Sequence, residues 1–261
     1  MATAKINGIW TYYEIRGKGT PLVMVMGWTA NKDWWIEDFL KYLEKHFKLI
    51  LFDNRGSGRT ESSNGFYSIQ QFANDIIDLM DYLNIEKFDV FGVSMGGMIV
   101  QELVINHPLR INKLILGCTN CGLKHSKLTS VDSVIYGVFC IIKYMRDFDK
   151  CLASILLSRT DLTDDDIYLI NCYKIAPSKT IDIIKQFIAI LHFDTFDRLK
   201  EITCPTLIMS GTHDLLIPHV NSNLLYKNIP HAELFKMQGL GHGFIRDASA
   251  DVFLAIFKFL K

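Results

Sequence analysis

The sequence has no excess of charge of either sign. Lysine and arginine together number 28, as do aspartate and glutamate, so the formal net charge at pH 7 is +0. Proteins that bind nucleic acid through its phosphates carry clustered basic residues, and no such run is present. The charge balance therefore favours a small-molecule partner over a nucleic acid.

Long apolar runs are also lacking. Met1–Gly8 contains no basic segment followed by an apolar one, so no secretory signal is predicted. The most apolar run, Val134–Ile142, is far shorter than the roughly 18–20 residues that a membrane span requires. Internal repeats and low-complexity tracts are absent. We therefore expect a cytoplasmic protein without a membrane span.

Cysteine is sparse, with six residues in the chain. In a chain without a secretory signal, free thiols in a reducing compartment are expected. Cys118 and Cys121 form a C-x-x-C, but no second pair or histidine cluster accompanies them. A redox or metal role for this pair is the weaker alternative, and we expect neither a metal nor an organic cofactor.

What the sequence does have is an alternation of apolar strands with amphipathic helices. Asn7-Gly8 predicts a tight hairpin turn at the start. The predicted strands are Ile9–Ile15, Leu22–Met26, Lys48–Phe52, Phe88–Val93, Ile111–Leu116, Thr206–Ser210 and Glu233–Met237. The predicted helices are Trp34–Lys45, one beginning at the capping box Ser68-x-x-Gln71, Met95–Asn106, one after Thr163, Ser178–Leu191 and Ala250–Leu260.

Between Gly122 and Arg198 the alternation stops, and only helical patterns are found. A chain of 261 residues, 49% of them hydrophobic, is long enough for one large α/β domain. We therefore predict an α/β core formed by residues 1–121 and 199–261, with a mostly parallel sheet and helices on both faces. Residues 122–198 are predicted to be a helical cap insertion.

The strongest chemical signal is Gly92-Val-Ser-Met-Gly96, a G-x-S-x-G placed between a buried strand and a helix. In this context the serine occupies a sharp turn that exposes its hydroxyl, and glycines two positions away permit the turn. Ser94 is therefore predicted to be a catalytic nucleophile. A glycine-rich turn without chemistry is the alternative.

A serine nucleophile needs a base within hydrogen-bonding distance. His242 is the predicted base because it follows the last predicted strand and is flanked by glycines that allow close approach. His213 is the chief rival, and His192 and His219 are weaker ones.

Asp214 is the predicted acid that orients the base, since it follows the strand Thr206–Ser210 at the same sheet edge. The order serine, acid, histidine agrees with this assignment. Asp194 and Asp197 are the alternative acids.

Two backbone N–H groups are predicted to form the oxyanion hole. One belongs to Met95, which follows the nucleophile, and the other to Trp28 in the loop after the strand Leu22–Met26. A tryptophan that lines the acyl pocket or is merely packed is the alternative interpretation of Trp28.

With these motifs in place, the chain resembles the α/β-hydrolase superfamily from about Gly8 to Leu260. Asp53-Asn-Arg-Gly-Ser-Gly-Arg-Thr60 is similar to the family's D-x-R-G-x-G-x-S loop, in which Asp53 and Arg55 are expected to be structural. Pro205–Pro218 resembles the strand and turn that carry the acid. Many relatives have His-Gly in the oxyanion loop, whereas this chain has Met26-Gly27-Trp28.

The resemblance implies an enzyme of the esterase, enol-lactonase or perhydrolase branch. A serine at the elbow argues against haloalkane dehalogenases and epoxide hydrolases, which need aspartate there. We expect hydrolysis of a small carboxylic ester or lactone through an acyl-serine, with Phe139 of the apolar cap lining the substrate pocket. The alternatives are carbon–carbon bond hydrolysis of ring-fission products and, in a different class, a weakly catalytic ligand receptor.

Overall fold

The computed structural model describes residues 2–127, 131–144, 147–248 and 250–261, and one sheet runs through the molecule. Among the described residues this sheet has eight strands. They are β1 (Ala2–Ile6), β2 (Ile9–Arg16), β3 (Thr20–Val25), β4 (Phe47–Phe52), β5 (Phe88–Val93), β6 (Ile111–Gly117), β7 (Thr206–Gly211) and β8 (Ala232–Met237).

The strand order is β1-β2-β4-β3-β5-β6-β7-β8. The hairpin β1–β2 and the pair β2–β4 are antiparallel, and every pairing from β4 through β3 to β8 is parallel. The predicted turn is present, with Asn7 and Gly8 at φ angles of 48° and 81°. Because β5, β6, β7 and β8 are parallel neighbours, their carboxyl ends meet at one edge of the sheet.

Helices cover both faces of the sheet. They are α1 (Glu37–Leu43), α2 (Ile69–Tyr82), α3 (Met95–Asn106), α8 (Val220–Asn228) and α9 (Ala250–Leu260). Side chains that alternate along each strand enter different cores. In β3, Leu22 and Met24 pack with α1 and α9, whereas Val23 and Val25 pack with α2 and α3. This two-sided burial explains why the parallel strands are continuously apolar.

Four further α-helices lie between β6 and β7 in the described part of the chain. They are α4 (Val131–Lys143), α5 (Phe148–Leu157), α6 (Asp164–Ile175) and α7 (Thr180–Leu191). An isolated bridge pairs Gly122 with Asp194, so the two ends of this segment meet beside β6. We call residues 122–198 the insertion, and its division from the core as a separate cap stays a prediction.

The predicted α/β fold class is confirmed, and strand β5 and helices α3 and α9 have their predicted bounds. Ser68 and Thr163 cap α2 and α6 as their sequences predicted. Helix α8 was not predicted, because the apolar residues of Val220–Asn228 form only a weak amphipathic pattern. No helix in the described ranges is both long and apolar enough to cross a bilayer.

Candidate active site

Ser94 lies at the turn between β5 and α3, in a backbone conformation that side chains rarely adopt. Its φ is 59° and its ψ is −123°. Such strain costs about 1–3 kcal/mol and persists only where the surroundings enforce it. The Ser94 N–H donates to the Gly117 carbonyl at 2.9 Å, and the Thr119 hydroxyl donates to the Ser94 carbonyl at 2.8 Å. The neighbouring strand end therefore holds the turn.

The two glycines of the motif are required by close backbone approach. A Cβ at Gly92 would lie 2.3 Å from the Gly96 carbonyl oxygen, and one at Gly96 would lie 2.2 Å from the carbonyl oxygen of Val25. Neither contact involves a side chain that could move aside. The motif is therefore an elbow by geometry as well as by sequence.

His242 lies in the turn that follows β8 and is only 8% exposed. Its Nδ1 is 2.8 Å from Oδ2 of Asp214, which lies in the turn after β7. With Nδ1 engaged by a carboxylate, Nε2 is the ring nitrogen that remains to accept a proton. His242 and Ser94 line the same cavity. The structure thus brings all three predicted residues to one edge of the sheet.

The Asp214 carboxylate is fully buried, with no exposed side-chain surface. Its Oδ1 accepts hydrogen bonds from the backbone N–H groups of Leu216 (2.9 Å) and Ile217 (2.8 Å). A buried carboxylate needs such donors to remain charged. Two amides and one imidazole therefore hold Asp214 in place.

The rival residues lie elsewhere. His213 and His192 are exposed, and the Nδ1 of His192 lies 2.9 Å from the Ile188 carbonyl oxygen within its own helix. Asp194 and Asp197 are also exposed, and Asp194 caps the following turn by accepting from the Phe196 N–H. The contact of Asp214 with His242 favours the predicted pair over these alternatives.

The loop predicted to supply an oxyanion donor passes directly beside the nucleophile. A Cβ at Gly27 would lie 2.9 Å from Cβ of Ser94. Trp28 follows and lines the cavity with Ser94. Met95 is the first residue of α3, where a backbone N–H has no acceptor within the helix. Both predicted donor residues therefore adjoin Ser94, while their role stays a prediction.

Two residues that the sequence did not single out hold this loop. Asn54 donates to the Met26 carbonyl at 2.9 Å, and the Gln186 side chain accepts from the Thr29 N–H at 3.0 Å. The Trp28 indole N–H donates to the Ile183 carbonyl at 3.0 Å. These bonds fix the loop although Met26 replaces the usual histidine. No motif predicts them, because their partners are over 20 residues apart in the chain.

Asp53 and Arg55 lie outside the cavity. Asp53 accepts from the N–H groups of Lys32 and Arg59, and burial raises the pKa of its carboxyl despite these bonds. The Arg55 guanidinium donates two hydrogen bonds of 2.6 Å to the Asp75 carboxylate. These contacts of Asp53 and Arg55 support the structural role expected for the loop Asp53–Thr60.

The cavity beside Ser94 has a volume of about 350 Å³. Its lining is mostly apolar. The apolar lining residues are Met26, Trp28, Ala30, Trp34, Val93, Leu152, Ile155, Leu156, Leu216 and Ile245. Among the described residues that line it there is no Lys, Arg, Asp or Glu. The cavity therefore fits an uncharged, apolar group of modest size.

The position of Phe139 does not support its predicted role in the pocket. Its side chain is 49% exposed and does not line the cavity. The insertion contributes Leu152, Ile155 and Leu156 of α5 instead. Helix α4 packs on α5 rather than on the site, so its apolar sequence does not indicate contact with substrate.

The last turn of α5 is joined to the histidine loop. The Gly243 N–H donates to the Leu156 carbonyl at 2.8 Å, and a Cβ at Gly241 would lie 2.7 Å from the same oxygen. The glycines beside His242 thus accommodate the last turn of α5. The insertion therefore contacts both the cavity and the loop that carries His242.

A thiol lies beside the acid–base pair. Within the described parts of the chain, Cys118, Asp214 and His242 place candidate ligand atoms within 4.8 Å of one another. Thiol, imidazole and carboxylate are donors that suit zinc. However, burial and then the Asp214 charge raise the pKa of the Cys118 thiol well above its usual range. The neutral thiol can donate a hydrogen bond to a carboxylate beside it.

The C-x-x-C does not form a disulfide. Cys118 and Cys121 are both free and buried. Cys118 packs in the core beneath α1 and α9, whereas Cys121 packs in the core beneath α2 and α3. The two thiols therefore lie on opposite faces of the sheet, which disfavours a shared redox or metal role.

Comparison with known proteins agrees with this geometry. The model of a family described as "alpha/beta hydrolase fold" matches residues 20–135. A putative carbamate hydrolase RutD of Serratia proteamaculans is 27% identical over 241 residues, covering 88% of each chain. A poly(3-hydroxyalkanoate) depolymerase of Ectopseudomonas oleovorans is 27% identical over 243 residues, covering 93% of this chain and 84% of the relative. The enol-lactonase structure from Burkholderia xenovorans LB400 superposes with a TM-score of 0.84 at 23% identity, covering 99% of both chains.

The fold, the elbow and these similarities define the class of protein. The chain has the α/β-hydrolase fold, and the matching family model and relatives indicate a hydrolase of that superfamily. The resemblance inferred from its motifs is thereby confirmed.

Proposed function

We propose that this chain hydrolyses small uncharged carboxylic esters or lactones through an acyl-serine intermediate formed on Ser94. The observation that carries the proposal is the shared cavity of Ser94 and His242, with the Nδ1 of His242 bound to Asp214 at 2.8 Å. A nucleophile, a base and a group that orients the base are the parts that acyl transfer at serine requires.

In the first half of the proposed reaction, Oγ of Ser94 attacks the carbonyl carbon while Nε2 of His242 takes the hydroxyl proton. The carbonyl oxygen becomes an oxyanion, which the N–H groups of Trp28 and Met95 stabilise. Collapse of this intermediate breaks the bond to the leaving oxygen, which receives the proton from His242. The alcohol of an ester then departs, whereas the alcohol formed from a lactone remains part of the acyl group on Ser94.

In the second half, His242 removes a proton from water, and the resulting hydroxide equivalent attacks the acyl carbon. Collapse of the second oxyanion breaks the bond to Ser94 and returns the proton to Oγ. Asp214 stabilises the imidazolium in both halves without itself being protonated. No metal or organic cofactor enters these steps.

The cavity supports an uncharged substrate. A carboxylate buried in this lining would lack a cationic partner, which is costly in an apolar site. Hydrolysis of acidic ring-fission products needs such a partner, so the carbon–carbon bond reaction is disfavoured. A receptor role would not require the Asp214–His242 contact.

Carbamate cleavage is the second candidate, because several relatives are named putative carbamate hydrolases. A neutral carbamate ester has the same reacting carbonyl as an ester and would fit the same apparatus. The two candidates differ in the group attached to the acyl carbon, which a direct comparison of substrates distinguishes.

The test is a fluorophosphonate probe followed by a substrate panel. We expect the probe to label Ser94 of the parent chain, and Ser94→Ala to lose labelling together with ester turnover. Ser210→Ala is the matched control, because Ser210 is another buried serine near the carboxyl end of a strand, β7. Labelling at another residue, or turnover by Ser94→Ala near the parent rate, contradicts the proposal.

The panel compares neutral aryl esters, lactones and carbamate esters with a matched ester that carries a free carboxylate. We expect neutral esters or lactones to have the highest kcat/KM and the carboxylate-bearing ester the lowest. Faster cleavage of carbamates than of esters would establish the second candidate instead.

A further inference from the structure

The Asp214 carboxylate has a neighbour that the proposed mechanism does not use. Cys118 follows β6 and is only 1% exposed. Its sulfur lies within 4.8 Å of the candidate ligand atoms of Asp214 and His242. The thiol is therefore a close neighbour of the group that orients the base.

The backbone at Cys118 is strained in a way that serves this contact. Its φ is 46°, in the left-handed region that favours glycine. Its N–H donates to the Met209 carbonyl at 2.8 Å, which ties the residue to the neighbouring strand β7. Asp214 lies in the turn that follows β7. A cysteine held in this conformation brings its side chain to the acid, whereas a glycine would adopt it with less strain and contribute nothing.

The number of donors around the carboxylate explains what the thiol adds. An ionised carboxylate offers about four lone-pair sites. The N–H groups of Leu216 and Ile217 occupy sites on Oδ1, and His242 occupies one on Oδ2. The side chain is fully buried, so bulk solvent does not reach the remaining site on Oδ2. Cys118 places a thiol, which can donate a hydrogen bond, within 4.8 Å of the ligand atoms of this pair.

We propose that Cys118 is a positioning residue whose thiol donates a hydrogen bond to the Asp214 carboxylate and sets the strength of the Asp214–His242 pair. The proposal rests on the function proposed above, because it acts through the same base. Loss of the donor leaves the carboxylate charge less stabilised, so the carboxylate attracts the imidazolium more strongly. The imidazolium then persists to higher pH, and the free base is scarcer near neutrality.

The test compares Cys118→Ala, which removes the donor, with Cys118→Ser, which keeps one. Cys121→Ala is the matched control, since it deletes another fully buried thiol from the opposite face of the sheet. For Cys118→Ala we expect kcat/KM near neutral pH to fall about tenfold, in line with a bond to a charged group. The acid limb of its pH profile should move to higher pH. Cys118→Ser should restore most of the rate and the profile, and Cys121→Ala should match the parent.

A second readout does not depend on turnover. The proton between His242 and Asp214 gives a low-field ¹H NMR signal, and we expect its position to change in Cys118→Ala and to return toward the parent in Cys118→Ser. An unchanged signal and an unchanged pH profile in Cys118→Ala would overturn the proposal. A Cys118→Ser variant that behaves like Cys118→Ala would also overturn it, because the effect would then come from the changed side-chain volume and not from the lost hydrogen-bond donor.

The two proposals fail in different ways. If the parent cleaves no ester but the NMR signal responds to Cys118→Ala and recovers in Cys118→Ser, the positioning role stands and the ester hydrolase assignment fails. If the parent cleaves esters but neither the pH profile nor the NMR signal changes in Cys118→Ala, the ester hydrolase assignment stands and the positioning role fails.

Discussion

The α/β core and the insertion contribute to the site by different means. The core places each chemical group at a strand end and fixes it with backbone bonds, such as the one from the Ser94 N–H to the Gly117 carbonyl. The insertion contributes no group to the proposed chemistry. Its helix α5 lines the cavity through Leu152, Ile155 and Leu156. The core thus carries the proposed chemistry and most of the cavity wall, and the insertion adds the rest of the wall through α5.

A second contrast lies within the insertion itself. Helix α7 buries two polar side chains against the core, namely Asp182, which accepts from the Tyr67 hydroxyl, and Gln186. Helix α4 exposes Val138 and Phe139 by about half. The polar residues of α7 therefore hold the insertion in place, while none of the described residues of α4 lines the cavity. Apolar sequence alone is a poor guide to which helix lines a pocket.

The largest effect is expected from breaking the acid–base pair of the core. Asp214→Asn keeps the shape but allows the wrong imidazole tautomer, so we expect kcat to fall by about 10³–10⁴. Measurement of ester turnover with thermal unfolding separates this loss from misfolding. His213→Ala is the control, because His213 adjoins Asp214 and is exposed. A larger loss in His213→Ala would mean that the base is wrongly assigned.

The next effect concerns the attachment of α7. The Gln186 side chain accepts from the Thr29 N–H and donates to the Arg55 carbonyl at 3.1 Å and to the Ser57 hydroxyl at 2.9 Å. Gln186→Leu leaves these buried groups unpaired, so we expect the free energy of unfolding to fall by roughly 2–3 kcal/mol. Urea denaturation measures it.

Gln70→Leu is the matched control for this change, since Gln70 is partly exposed and bonds to Asn74 and Asn106 at the surface. It should alter stability little. Equal destabilisation by both variants would contradict the view that α7 is held by its buried polar contacts.

A smaller effect distinguishes α5 from α4. Leu152 lines the cavity and Phe139 does not, so Leu152→Ala should enlarge the acyl site while Phe139→Ala leaves it unchanged. We expect the preference between a long and a short acyl chain to shift about tenfold toward the long chain in Leu152→Ala. A chain-length series of aryl esters measures it. The same shift in Phe139→Ala would restore a pocket role for α4.

The smallest expected effect is on stability and concerns Asp89, near the amino end of β5 in the core. Burial raises the pKa of Asp89 to about 6, and one of its oxygens has no hydrogen-bond partner among the described residues. The folded protein therefore binds a proton there more tightly than the unfolded chain. Ionisation of Asp89 in the folded protein therefore lowers the free energy of unfolding. This loss is absent at low pH, grows as pH rises from about 4 to about 6, and is constant above that.

Asp89→Asn removes this cost, so it should stabilise the protein by roughly 1–2 kcal/mol at pH 7.5, with a smaller gain at pH 5. Thermal unfolding at the two pH values measures the difference. Asp161→Asn, which removes an exposed carboxylate, is the control and should show no such trend. A gain that grows as pH falls would mean that folding lowers the pKa of Asp89 instead of raising it.

Much of the fold was accessible from the sequence because its signals are local. The bounds of β5, α3 and α9 follow from apolar period and from residues that cannot continue an element, such as Pro108 after α3. The positions of Ser94, Asp214 and His242 follow from strand order, because carboxyl ends of parallel neighbours share an edge. Helix α8 was missed because its apolar residues do not keep clearly to one face.

The sequence by itself therefore determined the fold class, the elbow and the three residues that meet at the sheet edge. Each of these depends on spacing along a few consecutive residues or on strand order. The tertiary structure decided which helix lines the cavity, which side chains hold the oxyanion loop, and which buried thiol lies beside the acid. Gln186 and Thr29 are distant in the chain, as are Cys118 and Asp214. Packing between such segments depends on how the whole chain closes, and no local pattern encodes it.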